Sequence, residues 1–412
     1  MNRKTLFLTG ASGFVGAELL HRVLLREPDT SVICLVRGTS AHEAQERVVL
    51  ALDQCARRAS MEVKQLHSER LLIVNGDITL PRFGLSPLVY SLLQRRTTHI
   101  LHAAASTRFD LRLEDARAVN VGGTMEILRF ARGCENLDRL GYVSTAYVAG
   151  DREGIVREDE LDIAQGFLNT YEQSKFEAET LVRETMAADL PRTVIFRPSI
   201  IVGDSRDGRT TSFNVLYCPM RIYSLGVIKA LPGKPWVRLD VVPIDYVADA
   251  IQQIFLNETA VGRTFHLVAG PERSMSLQAL VDKFVQIYNN HLASRGLVRR
   301  LAVPEIVGEN EGRALLDQSI GSMPTGQARN LFEMFRFFIP YTQKDKMFDN
   351  RSTRRVLTER GIEPPPFANY MHRVLSYCFE TSWGQRPQKR QSLEAEVWLE
   401  EELERIFSPL PI

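Results

Sequence analysis

A glycine-rich turn near the amino terminus constrains the fold of this chain more than any other feature. The motif TGASGFVG joins an apolar segment, Thr5–Thr9, to a segment with helical character, Ala17–Arg26. Gly10 permits a tight turn, Gly13 allows a pyrophosphate to approach the backbone, and Gly16 lets the helix pack closely on the strand. Because the first amides of such a helix point at phosphate groups, the turn predicts a dinucleotide-binding fold.

Strand and helix patterns alternate along the first 200 residues. The predicted strands are Thr5–Thr9, Ser31–Val36, Leu71–Val74, His99–His102, Leu140–Ser144 and Arg192–Phe196. The predicted helices are Ala17–Arg26, Ala41–Arg58, Leu85–Arg95, Leu113–Arg132 and Tyr171–Ala188. Short apolar strands separated by helices predict an α/β fold, a doubly wound parallel sheet that is covered on both faces.

The pattern loosens after Gly203. We predict a strand and a helix at Trp236–Val242 and Ile244–Leu256, a second such pair at Thr264–Val268 and Ser276–Tyr288, and mostly helices from Asn289 onward, including a packing helix at Leu393–Phe407. We therefore expect residues 1–205 with about 236–270 to form the dinucleotide-binding domain. Residues of about 206–235 and 271–412 would form a smaller, mostly helical, substrate-binding region.

Composition excludes several classes of protein. Lys and Arg number 51 and Asp and Glu number 50, a balance that argues against a nucleic-acid binder. The five cysteines are widely spaced and show no metal-binding pattern, so we expect no metal. Without a signal peptide or an apolar run of about 18 residues, the sequence favours a cytoplasmic protein with no transmembrane segment. Peripheral membrane contact and the oligomeric state stay open.

The end of the second strand selects the cofactor in folds of this kind. An acidic residue there binds the 2′-hydroxyl of NAD, whereas an arginine suits a 2′-phosphate. This chain has Arg37 and no acid, which predicts NADP(H). Arg47 is a candidate second contact, weighed equally against a solvated charge, and Asp77 with Ile78 is placed to meet the adenine ring.

A tyrosine and a lysine four residues apart, Tyr171 and Lys175, lie on one face of a predicted helix. A lysine beside a phenol stabilises the phenolate, so we expect a lowered pKa for Tyr171 and acid–base chemistry at a carbonyl or hydroxyl. Ser144 and Thr145 end the fifth strand, where a hydroxyl can hold the reacting oxygen. Asn120 is a further candidate, to hold a water or the backbone near Lys175.

These motifs resemble those of the extended short-chain dehydrogenase/reductases. The segments that carry the resemblance are TGASGFVG, HAAAS, NVGGT, STAYV, YEQSK and RPSIIVG, between Thr5 and Val268. The resemblance implies that Thr145, Tyr171 and Lys175 are catalytic and that Lys175 also holds the nicotinamide ribose. It implies a cofactor site formed by Gly10, Ser12, Gly13, Phe14, Val15, Gly16, Ala103, Ala104, Ala105, Pro198, Ser199, Ile200 and Ile201.

Finer features resemble the fatty acyl-CoA reductase and thioester reductase branch. They are HAAASTRFD, DVVPIDYVADAI and FDNRSTRRVL, together with Arg37. The branch implies NADPH-dependent reduction of a long-chain acyl thioester, on coenzyme A or an acyl carrier protein, to an aldehyde or an alcohol. The alternatives are a nucleotide-sugar epimerase or dehydratase, a hydroxysteroid-type dehydrogenase, and a non-catalytic NADP(H) sensor.

Two further segments have competing interpretations. The apolar run Val215–Leu231 has two interpretations that we weigh equally: it lines an acyl tunnel, or it packs in the core. Five arginines also have two interpretations: they contact an acidic carrier, or, as we prefer, they are solvated. This set is Arg299, Arg300, Arg351, Arg354 and Arg355.

Overall fold

A computed structural model describes residues 4–58, 70–213, 215–226, 228, 230–321 and 327–384. The strands of this part of the chain are β1 Thr5–Thr9, β2 Ser31–Val36, β3 Leu71–Asn75, β4 His99–His102, β5 Arg139–Val143, β6 Gly154–Val156, β7 Thr193–Pro198, β8 Ile200–Val202, β9 Ala230–Pro232, β10 Arg238–Leu239, β11 Val241–Pro243, β12 Thr264–Leu267, β13 Met275–Ser276, β14 Glu305–Val307 and β15 Lys346–Phe348.

The α-helices alternate with these strands in the first half of the chain and predominate in the second half. They are α1 Phe14–Arg26, α2 Ala41–Arg58, α3 Pro87–Arg96, α4 Leu113–Arg117, α5 Gly123–Arg132, α6 Thr170–Ala188, α7 Tyr217–Ser224, α8 Ile244–Phe255, α9 Leu277–Ser294, α10 Glu309–Gly321, α11 Gln327–Arg336, α12 Arg351–Leu357 and α13 Phe367–Glu380.

Seven strands form one parallel sheet in the order β3-β2-β1-β4-β5-β7-β12. In register, Phe7 of β1 lies between Ile33 of β2 and Ile100 of β4. The strand order reverses at β1, so a crevice opens at the carboxyl ends of β1 and β4, where the glycine turn begins. The sequence prediction of a doubly wound parallel sheet is therefore confirmed.

Helices cover both faces of this sheet. Helices α1, α2 and α8 pack on one face through residues such as Leu20, Val48 and Ile251. Helices α3, α5 and α6 pack on the other, and their side chains surround a cluster of aromatic rings that includes Phe7 and Phe130, whose centroids are 4.5 Å apart. Burial of both faces explains why the strands are almost continuously apolar.

A second apolar core lies outside the seven-stranded sheet. It is formed mainly by helices α7, α9, α11 and α13, which contribute Tyr223, Phe284, Phe332 and Met371. Four two-stranded sheets accompany it: β8 with β11, β9 with β14, β6 with β15, and the antiparallel pair β10 with β13. None of the described helices is long and apolar enough to cross a membrane.

Three predicted elements differ from the structure. Trp236–Val242 is two short strands, because the Asp240 carboxylate between them accepts hydrogen bonds from the backbone of Ala269 and Gly270 and from the Ser199 hydroxyl. The predicted helix Leu113–Arg132 contains a π-helical turn at Ala118–Gly122.

The third element, Val215–Leu231, is helical only at Tyr217–Ser224. The helix predicted at Leu393–Phe407 lies outside the described residues.

Candidate active site

The glycine turn has the geometry that its sequence predicts. Gly10 adopts a φ of +75°, and a Cβ at this position would lie 2.7 Å from the backbone of Ala103. A Cβ at Gly16 would lie 2.1 Å from the carbonyl oxygen of Gly10. Neither position accepts a side chain, so β1, α1 and the segment after β4 approach one another through bare backbone.

Helix α1 directs its amino terminus at the same crevice. Gly13 is its N-cap and contributes no side-chain hydrogen bond, and the first turn carries no acidic residue. The first amides of this helix and the positive end of its dipole therefore fit a diphosphate. A nicotinamide dinucleotide matches this donor set.

A cavity of about 1200 Å³ extends from the glycine turn in both directions. All the sequence-predicted cofactor residues except Lys175 line it: Gly10, Ser12, Gly13, Phe14, Val15, Gly16, Arg37, Arg47, Asp77, Ile78, Ala103, Ala104, Ala105, Pro198, Ser199, Ile200 and Ile201. Thr145 and Tyr171 line it as well, whereas Lys175, Ser144 and Asn120 do not. The structure thus places the two predicted sites in one space.

Arg37 and Arg47 form the basic end of the cavity. The Arg37 guanidinium lies 3.7 Å from the Asp77 carboxylate, and its side chain is 67% exposed. Arg47 donates a hydrogen bond to the Arg37 carbonyl oxygen. The Asp77 carboxylate also accepts from the backbone and hydroxyl of Thr79, so it braces the loop after β3. Two guanidinium groups are therefore available to an anionic ligand at this end.

Tyr171 and Thr145, the predicted catalytic hydroxyls, line the cavity together. Tyr171 lies in the first turn of α6, which Asn169 caps by accepting a hydrogen bond from the Glu172 amide at 3.0 Å. Burial raises the pKa of Tyr171 to about 12, although a hydrogen bond with Thr145 acts in the opposite direction. Tyr171 therefore holds its proton at neutral pH, and the expected lowering of its pKa does not occur in this structure.

Lys175 lies behind Tyr171, away from the cavity surface. Its Nζ donates to the Tyr142 hydroxyl and to the Val143 carbonyl oxygen, each at 2.8 Å. Burial lowers the pKa of Lys175 to about 7, while the Glu179 carboxylate acts in the opposite direction. The lysine therefore touches a tyrosine that the sequence did not single out.

Ser144 and Asn120 are engaged in structural hydrogen bonds. The Ser144 hydroxyl donates to the buried Glu179 carboxylate at 2.7 Å, beside the ion pair that Glu179 forms with Arg197. The Asn120 amide accepts from the Ser106 amide and donates to the Ser106 carbonyl and the Ser174 hydroxyl. Asn120 thus binds backbone, which is one of its two expected roles. The backbone that it binds belongs to the segment after β4.

Aromatic side chains that sequence reasoning missed line the far part of the cavity. Phe109 lies 5.6 Å from Tyr171 and 6.2 Å from Tyr341 between ring centroids, and Tyr147 lies 5.1 Å from Tyr341. Tyr341 donates to Glu172 at 2.5 Å, which anchors the C-terminal region to the catalytic helix. Phe109 and Tyr147 lie inside the recognised motifs HAAASTRFD and STAYV, whereas no motif marks Tyr341.

The opposite wall is polar and aromatic. It contains residues 209–213 and three residues at the end of α13, namely Tyr377, Thr381 and Gly384. Of the described part of the run Val215–Leu231, only Val215 lines the cavity, while Leu216, Met220 and Ile222 are buried in the second core. Of the two interpretations, core packing therefore describes the placed residues of this run, apart from Val215.

Three of the arginines predicted as candidate carrier contacts have partners within the chain. Arg351 pairs with Asp349, Arg354 pairs with Glu272, and Arg299 donates to the Leu225 carbonyl. Within the described residues no group of three or more His, Cys, Asp or Glu side chains is arranged to hold a metal ion.

The fold and the cavity together define an oxidoreductase of the extended short-chain dehydrogenase/reductase class, with a site for a nicotinamide cofactor. The family model described as male sterility protein, an NAD-binding family, matches residues 8–251. The chain belongs to this family.

Individual relatives agree with this assignment. The solved terminal R domain of the myxalamid PKS-NRPS biosynthetic pathway is 28% identical, with a TM-score of 0.77, over 94% of this chain and 93% of that one. A nonribosomal peptide synthetase of Aspergillus flavus is 33% identical over 273 residues, 64% of this chain. A fatty acyl-CoA reductase of Drosophila melanogaster is 28% identical over 276 residues, 60% of this chain. The chain spans 26% and 53% of the lengths of these two curated relatives.

Proposed function

We propose that this protein uses NADPH to cleave an acyl thioester reductively to an aldehyde and a thiol. The observation that carries the proposal is the position of Tyr171 and Thr145 in the same cavity as the glycine turn. Bound NADPH supplies a hydride. In the balanced reaction, one thioester, one NADPH and one proton give one aldehyde, one thiol and one NADP⁺.

The residues of the chain would act on the carbonyl oxygen. Tyr171 carries its proton at neutral pH because burial raises its pKa to about 12. A protonated phenol can donate to an oxygen on which negative charge develops, and Thr145 adds a second hydroxyl. Lys175 would act from behind Tyr171 and toward the nicotinamide ribose. The C–S bond then breaks as the thiol leaves, and no cysteine nucleophile is needed.

The preference for NADPH over NADH would come from the basic end of the cavity. Arg37 and Arg47 line it together, and the Asp77 carboxylate lies to one side. A guanidinium forms charge-assisted hydrogen bonds with phosphate, which supports recognition of the 2′-phosphate.

We propose a carrier-bound thioester as the substrate, and acyl-CoA as a substitute for it. Relatives named as a nonribosomal peptide synthetase and a fatty acyl-CoA reductase support both donors. The expectation of a long acyl chain comes from the resemblance to the fatty acyl-CoA reductase branch, and the burial of residues of the run Val215–Leu231 in the second core gives it no further support. The polar and aromatic walls of the cavity instead favour a shorter or functionalised acyl group.

The test combines NADPH oxidation with thiol release. Purified protein would be mixed with NADPH and acyl-CoA or acylated carrier protein of graded chain length. We expect thiol and NADP⁺ to appear together, in a ratio of one to one for an aldehyde product and one to two for an alcohol. NADPH oxidation without thiol, or no reaction with any thioester, would refute the proposal. Turnover of a nucleotide sugar or a steroid alcohol would point to the alternative classes instead.

A further inference from the structure

A chain of buried polar side chains connects Lys175 to the cofactor turn. The Lys175 Nζ donates to the Tyr142 hydroxyl at 2.8 Å and lies 4.4 Å from the centre of the Tyr142 ring. The neighbouring Thr124 hydroxyl acts to lower the pKa of Tyr142, against the larger effect of burial, and His102 lies 3.2 Å from the same threonine hydroxyl. The other nitrogen of His102 lies 2.7 Å from the hydroxyl of Thr9.

The number of available protons determines the direction of these hydrogen bonds. The single hydroxyl proton of Thr124 is donated to the Asn120 carbonyl oxygen at 2.6 Å, so Thr124 accepts from Nε2 of His102. Nδ1 of His102 then accepts from the Thr9 hydroxyl, which itself accepts from the Ala104 amide at 3.2 Å. Because burial lowers the pKa of His102 to about 3, the imidazole stays neutral and keeps this arrangement.

The Tyr142 hydroxyl oxygen accepts from the Lys175 ammonium, so one of its lone pairs faces the lysine. The side chains of Thr9, His102, Thr124, Tyr142 and Lys175 are all buried. A buried chain of this kind holds its groups in place.

We propose that Tyr142 is a positioning residue for Lys175: its hydroxyl accepts a hydrogen bond from the ammonium group, holds it on the helix face that carries Tyr171, and favours its charged form. The proposal deepens the proposed function and rests on it, since Lys175 matters through Tyr171 and the cofactor ribose. The same chain reaches Thr9 and Ala104, so it also ties the position of the lysine to the walls of the cofactor site.

The need for such an acceptor follows from the surroundings of Lys175. Burial alone favours the neutral amine and lowers the pKa of Lys175 to about 7. The groups that face it are Glu179 on its own helix, Tyr142 on β5 and His102 on β4. Glu179 is already paired with Arg197, and His102 is neutral. The Val143 carbonyl and the Tyr142 hydroxyl are therefore the direct acceptors that stabilise the ammonium.

The test is the substitution Tyr142→Phe, which keeps the ring and removes the acceptor. The pKa of Lys175 should fall, so the amine should lose its proton at lower pH. We expect kcat at neutral pH to fall about 5-fold to 10-fold, and the alkaline limb of the kcat profile to move about one pH unit lower. KM for the thioester should stay within about twofold.

A second readout does not require turnover. The Kd of NADPH is measured by fluorescence at a series of pH values. It should increase as the pH rises, and in Tyr142→Phe this increase should begin at a lower pH than in the wild type. If the wild type cleaves no thioester, the proposed function fails, while this binding profile still tests the role of Tyr142. Thr124→Val, which leaves the tyrosine in place and removes the hydroxyl beside it, should shift both profiles in the same direction by a smaller amount.

The matched control is Tyr370→Phe, in the second core. Among the described residues the Tyr370 hydroxyl has no hydrogen-bond partner, so its loss should leave both pH profiles unchanged. If Tyr142→Phe fails to fold, Thr124→Val carries the test. Profiles of the folded Tyr142→Phe or Thr124→Val variant that overlay those of the wild type would overturn the proposal, as would an equal shift in Tyr370→Phe.

Discussion

Replacement of Arg37 by alanine should weaken NADPH binding and leave NADH binding almost unchanged. Arg37 follows β2 at the basic end of the cavity, where its guanidinium lies 3.7 Å from Asp77. The two cofactors differ only in the 2′-phosphate, so a residue that recognises this group affects one Kd and not the other. The expected size of the effect follows from the exposure of the side chain.

Two unit charges about 4 Å apart interact by about 1 kcal/mol in water and by about 4 kcal/mol near a protein surface. The Arg37 side chain is 67% exposed and has the Asp77 carboxylate as a competitor, so the lower part of this range applies. A loss of about 1–2 kcal/mol corresponds to a Kd for NADPH that is about 5- to 30-fold higher. The change should shrink as salt is added, because the charges are screened.

The assay is a fluorescence titration of both cofactors against the wild type, Arg37→Ala and a control variant. Arg112→Ala suits the control, since Arg112 is exposed, pairs with Glu114 and does not line the cavity. It should leave both Kd values unchanged. Equal losses for NADPH and NADH in Arg37→Ala, or no loss for either, would contradict the assignment of Arg37 to the 2′-phosphate.

The remaining predictions concern the catalytic hydroxyls and two buried carboxylates. Tyr171→Phe should lower kcat at least about 100-fold with little change in the Kd of NADPH, and unchanged turnover would remove Tyr171 from the mechanism. Thr145→Ala should cost about 100-fold in kcat, whereas Ser144→Ala should keep turnover and lower the free energy of unfolding by about 1–2 kcal/mol, measured in urea, because Glu179 loses a donor. The reverse pattern in these two variants would exchange their roles. Glu158→Ala should lower the free energy of unfolding by about 3 kcal/mol, since its carboxylate accepts hydrogen bonds from both β12 and α12, and an unchanged Tm would refute that role.

Local sequence patterns predict most strands of the sheet, because a strand is marked by its own apolar residues and by the turn residues that flank it. The predicted bounds of β1, β2 and β4 match the structure, since these strands are short apolar runs between turn residues. Trp236–Val242 is equally apolar, yet it breaks at Asp240, whose carboxylate is bound by groups distant in sequence. A buried acid with remote partners leaves no trace in local periodicity.

In the cavity, too, the residues that belong to local motifs were predictable, and those brought in by tertiary packing were not. Residues in motifs, such as Gly10 and Arg37, line it as predicted, because a motif lies on a single turn or strand end. Tyr341 reaches Tyr147 from a distant part of the chain, and only tertiary packing brings the two rings together. Tyr142 could not be predicted for another reason. In the sequence of a buried strand, a tyrosine looks like any other core residue, and only the structure shows the hydrogen-bond partner of its hydroxyl.

Burial has opposite consequences for the tyrosine and the lysine of this site, because it favours the protonated phenol and disfavours the ammonium. Removing a phenol from water raises its pKa, and removing an ammonium from water lowers its pKa, so both groups move toward their neutral forms. For Tyr171 this shift is useful, because a phenol with a pKa of about 12 retains the proton that a reduced carbonyl oxygen needs. For Lys175 it is a cost, since the pKa of about 7 puts half of the population in the neutral form near neutral pH. The four-residue spacing of the motif places both groups on one helix, but the charge of the lysine depends on acceptors supplied by β5.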